Sequence, residues 1–160
     1  MKIYKGVFGL LLIMLSSVLL QAQSYKVSEV MSVIDDKYTE AMMVNLPLDA
    51  DDIEDEWEDY LDDNYDLELD KIDRKRDTTT YISEKVIRNN LNKASYDIYS
   101  KIVDNENGTS DLYVKWAFNE DTFVESVDNP QKAADAKYIM ERFAKRIYTE
   151  FYEEQLENLV

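Results

Sequence analysis

The chain contains no cysteine and no histidine, and of its three glycines only Gly108 lies beyond the first ten residues. Without Cys or His, Ser-His-Asp and Cys-His nucleophile systems are excluded, and a conventional zinc site has no ligands. A lone internal glycine leaves no glycine-rich loop to cradle a phosphate or a dinucleotide. The absence of Cys also means that packing alone holds the fold, whatever the redox state of its compartment. Positive charge is scarce as well: 18 Lys and Arg stand against 34 Asp and Glu, a formal charge of −16. Binding a polyanion depends on basic side chains displacing its counterions, so nucleic acid and anionic lipid surfaces are poor partners.

The one long apolar run is N-terminal. Met1 to Lys5 carries two lysines, Val7 to Leu20 is an uncharged run of fourteen residues, and Gln21-Ala22 leads into polar sequence. This pattern predicts a secretory signal peptide over residues 1–22, shorter than the roughly 20 apolar residues of a bilayer span. Leu20 stands where a small residue is preferred, so a retained signal anchor is the alternative. The remaining 138 residues carry a formal charge of −18 and suit a single domain, exported to the periplasm or cell envelope or secreted.

The loudest feature of that domain is Asp49 to Asp66, with eleven acidic residues and no basic one. Ile53, Trp57, Tyr60, Leu61 and Asn64 fall on one helical stripe, with Asp51, Asp55, Asp59 and Asp63 behind them. Asp49 is the expected N-cap, and Asp51 and Asp52 face the favourable end of the helix dipole. Like-charge i,i+4 pairs recur six times between Asp51 and Asp63. Together they cost about 1 to 3 kcal/mol, so burial of the apolar stripe must hold the helix.

In chain order, Tyr25 to Ile34 reads as an arm or a first strand within residues 23–36. Lys37 to Leu46 reads as a strand ended by Pro47, opening a single domain over residues 37–160. After the acidic helix, Tyr65 to Ile72 alternates Leu67 and Leu69 with acids and predicts a short strand. Lys71, Arg74, Lys75 and Arg76 form a basic turn placed to neutralise part of the helix. Thr78 to Ile82 is strand-like, whereas residues 83–93 have no secure placement.

Tyr96 to Phe118 predicts a hairpin about an Asn-Gly turn. Leu112, Val114, Trp116 and Phe118 point one way, Tyr113, Lys115 and Ala117 the other. Asn129-Pro130 then opens a helix to about Asn158, with Ala133, Ala136, Met140, Phe143, Ala144, Ile147, Phe151 and Tyr152 on its stripe. Its length, about 40 Å, exceeds the sheet of so small a domain, so the apolar end folds back, frays or mediates self-association. The assembled expectation is an α+β two-layer sandwich: a mainly antiparallel sheet of four to five strands with two helices on one face.

The Trp-Glu-Asp-Tyr-Leu segment at Trp57 to Leu61, Tyr-Ser-Lys at Tyr99 to Lys101, the Asn-Gly-Thr turn, Val-Lys-Trp-Ala-Phe at Val114 to Phe118 and the helix after Asn-Pro carry a resemblance. Over residues 37 to 155 the layout resembles a loosely defined family of small exported bacterial proteins without an assigned activity. The resemblance implies architecture and no functional residue.

Three readings of function follow. A binding or envelope accessory domain would use the sheet face away from the helices, where Tyr99, Lys101, Tyr113 and Lys115 form an expected solvent-exposed interaction surface for a protein or envelope component. A calcium-responsive module would draw weakly on Asp55, Asp59, Asp62, Asp63 and Asp66. An EF-hand over Asp62 to Asp73 is excluded, because Leu67 occupies the turn-glycine position and Asp73 that of the bidentate Glu. A hydrolase would need two carboxylates facing across a cleft, and with this many acids the sequence singles out no pair. The non-enzymatic binding domain, with no cofactor, is the expected one.

Overall fold

Asp49 starts the acidic helix as its position predicts: its carboxylate accepts the Asp52 backbone N–H at 3.0 Å, and helix α1 runs over Ala50–Tyr65. The computed structural model describes residues 25–75, 77–87, 95–119 and 122–159. The signal-peptide reading, Arg76 and residues 88–93 lie outside that description. The remaining elements are β1 (Ser28–Ile34), β2 (Lys37–Leu46), β3 (Asp70–Lys75), β4 (Thr78–Ile87), β5 (Ser95–Asn105), β6 (Thr109–Asn119), the two-residue β7 (Thr122–Phe123) and helix α2 (Pro130–Glu157).

Among the described residues the strands form one antiparallel sheet in the order β1-β2-β6-β5-β4-β3, with β7 paired to the end of β6. Six main strands stand where four to five were expected. The additional strands are the edges: β1 is the arm, and β3 is a fully exposed DKIDRK segment with no apolar alternation to announce it. Charges along a free edge also discourage pairing with other chains.

Both helices cover the same sheet face. Ile53, Trp57, Tyr60 and Leu61 of α1 and Ala133, Ala136, Ile139, Met140, Phe143, Ala144, Ile147 and Tyr148 of α2 are buried against Val44, Leu46, Ile98, Ile102, Leu112, Val114 and Trp116. The fold is therefore the expected α+β sandwich, with α1 carrying the chain from β2 to the far edge at β3. Trp57 sits at the centre, its indole N–H donating to Ser100 Oγ at 2.8 Å and its ring edge-on to Phe143.

Local chemistry sets the ends. The β5–β6 turn places Gly108 at φ 76°, and the Asn107 side chain accepts from the backbone N–H and hydroxyl of Thr109. Tyr65 to Ile72 differs from its prediction. Tyr65 closes α1, Asp66 turns the chain at φ 54°, and β3 begins only at Asp70. The alternation of Leu67 and Leu69 reflects a connector that tucks Leu67 into the core. Asn129 makes no side-chain cap, and α2 starts from Pro130 instead. The helix stays continuous to Glu157, leaving Leu156 and Leu159 exposed beyond the sheet. No helix among the described residues is long and apolar enough to cross a membrane.

A curl in the sheet creates its second face. Met42 to Leu46 of β2 pair with β6, whereas Lys37 to Ala41 pair with β1 alone. In a flat sheet β1 would lie three strand spacings, about 14 Å, from β5. Yet Lys101 Nζ on β5 donates to Ser32 Oγ at 2.7 Å and to the Val33 carbonyl at 2.8 Å on β1. The β1–β2 hairpin therefore folds over the face away from the helices.

Candidate functional site

Strand alternation puts Tyr99 and Lys101 of β5 beside Tyr113 and Lys115 of β6, all pointing away from the helices. The register pairs Tyr99 with Lys115 and Lys101 with Tyr113. Each lysine lies over the ring of its cross-strand partner, at 4.3 Å for Lys115 on Tyr99 and 4.5 Å for Lys101 on Tyr113. Such contacts contribute about 0.5 to 2 kcal/mol, more as water is excluded.

The four residues thus come together as expected, but not as an open surface. Tyr99 is 3% exposed and Lys115 2%. The reason is the curled hairpin: Lys115 Nζ donates to the Ile34 carbonyl at 3.0 Å, and Ile34 packs with Ala41, Tyr99 and Ala117. Burial pushes the Lys115 ammonium down to about 8, opposed by the charge of Asp35 and assisted by that of Lys37. Burial lowers Lys101 as well, and raises Tyr113 with a further contribution from Asp111.

The hairpin tip is a two-residue Asp35-Asp36 turn with φ of 51° and 56°, the left-handed pair that a tight hairpin requires. It overhangs β5, and between it and the β3–β4 hairpin a cleft of about 440 Å³ opens. One wall is Val33, Asp35 and Asp36; the other is Ile72, Asp73 and Lys75; Thr78, Thr80 and Lys101 form the floor. Register explains the floor, since Asp73 pairs with Thr80 and Thr80 with Lys101, so all three share a face. Lys75 bridges Asp73 at 3.0 Å; that bond, then the charges of Asp73 and Asp36, raise the Lys75 ammonium above its usual range.

Of the cleft residues outside β5, the sequence names Lys75 in the basic cluster and Asp73 in the rejected EF-hand, and assigns none of them to this site. Asp-Asp between two apolar strand ends was the available signal, because a two-residue loop needs residues that tolerate positive φ.

The acidic helix assembles no comparable site. Asp55, Asp59, Asp62, Asp63 and Asp66 are all exposed, and among the described residues no group of three or more acidic side chains is arranged to hold a metal ion. The basic cluster, which lies on strand β3 rather than in the expected turn, neutralises the first half of α1, with Lys71 on Glu54 at 2.6 Å and Arg74 on Asp51 at 2.9 Å. Arg146 of α2 bridges Glu56. Desolvation and then the neighbouring Asp49, Asp55 and Asp51 raise the Asp52 carboxyl, the signature of like charges crowded at the helix start. Calorimetry in millimolar calcium is expected to shift the melting midpoint no further than sodium at matched ionic strength, because both ions act here by screening. A clear excess with calcium would establish a site on this face.

No family model matches the chain, no curated protein is detectably similar to it, and no solved structure gives a significant match.

Proposed function

We propose that the protein is an exported, non-enzymatic binding domain, an accessory component of the cell envelope, whose ligand lies in the cleft between the two hairpins. The observation that carries this reading is Lys101. Its ammonium reaches a concave polar surface, spends two of its three N–H groups on Ser32 and Val33, and meets no carboxylate among the described residues. A lysine beside a pocket of this size is a natural anchor for a ligand oxygen, because binding sites combine a concavity of about 300 to 1,000 Å³ with a few placed polar groups. The signal-peptide pattern of the N-terminal sequence supports export.

The hydrolase reading has one observation in its favour, since Asp36 and Asp73 stand on opposite walls. Asp73, however, is engaged by Lys75. The binding reading uses more of the cleft.

Amide NMR spectra of the protein, recorded with mixtures of small organic acids, amines, amino acids and sugars, test this reading. Perturbations are expected to concentrate on Val33, Thr78, Thr80 and Lys101. Shifts scattered over the surface, or gathered on α1 and α2, would discard the cleft.

A further inference from the structure

Resting on that reading of the cleft, we infer that its ligand is a zwitterion bearing a carboxylate and a primary ammonium, the charge pair of an amino acid or a short peptide. The inference comes from a census of charges around the cavity. Asp73 and Lys75 form an ion pair and largely cancel. What remains is the Lys101 ammonium on the floor and the Asp35 and Asp36 carboxylates at the rim. Asp35 acts through space on Lys115 and Asp36 on Lys75, yet neither aspartate makes an ion pair among the described residues.

A simple anion would satisfy Lys101 but would have to pass two carboxylates on a strongly acidic chain. A simple cation would meet the aspartates and leave the third Lys101 N–H, the one not given to Ser32 or Val33, covered without a carboxylate partner, which is costly once water is displaced. A ligand with both charges answers both ends, its carboxylate towards Lys101 and its ammonium towards the hairpin tip. Thr80 supports the first contact. It lies directly across from Lys101 in the sheet, and its hydroxyl makes no hydrogen bond among the described residues. Val33 and Ile72 supply apolar wall between the charged ends, suited to the uncharged middle of a short peptide.

Isothermal titration and amide NMR with glycine, glycylglycine and triglycine carry the same two charges at increasing separation. N-Acetylglycylglycine removes the ammonium, and glycylglycinamide removes the carboxylate. The best of the three zwitterions is expected to bind about tenfold more tightly than either capped peptide, with shifts at Thr78, Thr80 and Lys101. Asp36→Asn should abolish the preference over the acetylated peptide and leave the fold intact, because Asn adopts the left-handed conformation readily. Lys101→Met should abolish the preference over the amide.

If the acetylated peptide binds as tightly as the zwitterion, or if Asp36→Asn, paired with Asp35→Asn, changes nothing, the zwitterion inference is wrong, while shifts at the cleft still support the binding reading. If no member of the series perturbs the cleft, the inference also falls, and the mixed-solute spectra decide the broader reading separately.

Discussion

Trp57→Ala is expected to remove about 3 to 5 kcal/mol of stability, a large fraction of the roughly 5 to 15 kcal/mol that a domain possesses. Three contributions act together. The indole is fully buried between the sheet and α2, so truncation opens a cavity against Phe143 and Tyr60. The Ser100 hydroxyl, itself inaccessible, loses its partner, and an unsatisfied buried polar group costs about 1 to 3 kcal/mol. Finally, α1 loses the anchor that offsets repulsion among its own carboxylates.

Trp57→Phe isolates the polar part. It keeps most of the apolar body and is expected to cost about 1 to 2 kcal/mol. Adding Ser100→Ala should recover part of that loss, since both partners of the hydrogen bond are then gone. Urea denaturation followed by far-UV circular dichroism measures all of these. A loss below about 1 kcal/mol for Trp57→Ala would mean that α1 is held by something other than its apolar stripe.

That stripe was legible in the sequence, and the reason is physical. Ile53, Trp57, Tyr60 and Leu61 obey a local period that survives any tertiary context able to bury one face, and the β5–β6 hairpin obeys the strand period just as strictly. Both signals also specify sides, which is why the two helices were expected on one face. The curl of the β1–β2 hairpin was not legible. It depends on β2 changing partners along its length and on lysines reaching residues 69 and 81 positions away in the chain. No local window contains that information.

The candidate site divides the same way. Tyr99, Lys101, Tyr113 and Lys115 were grouped correctly because alternation on two adjacent strands groups them. Their burial, and the contributions of Asp35, Asp36, Asp73 and Lys75, required knowing which hairpins overhang which strands. The alternation of Leu67 and Leu69 shows the opposite failure, a strand-like pattern produced by a connector after α1 that buries Leu67 and packs Leu69 partly against the core.

The curled hairpin also makes the stability of the protein rise in mildly alkaline solution, the reverse of what a strongly anionic chain suggests. Lys115 is held at about 8 in the folded chain, against 10.5 for an ordinary lysine. Below pH 8 both folded and unfolded chains keep the proton. Between pH 8 and about 10 the unfolded chain keeps it while the folded chain releases it, so unfolding takes up protons and becomes harder as pH rises. Lys101, also lowered by burial, acts in the same direction. The window closes near pH 10. There the unfolded tyrosines ionise, whereas Tyr60, Tyr113 and Tyr148, all raised by burial, stay neutral in the fold and oppose unfolding less with each further step. Allowing for residual solvent screening, the gain between pH 8 and 10 should be about 1 to 2 kcal/mol, read from urea midpoints at constant ionic strength. Lys115→Met should flatten most of that rise, leaving the smaller contribution of Lys101, and should loosen the hairpin tip by depriving the Ile34 carbonyl of its donor. A wild-type profile that is flat or falling from pH 8 to 10, or a variant that rises as steeply as the wild type, would show that the ammonium of Lys115 is not sealed beneath the hairpin.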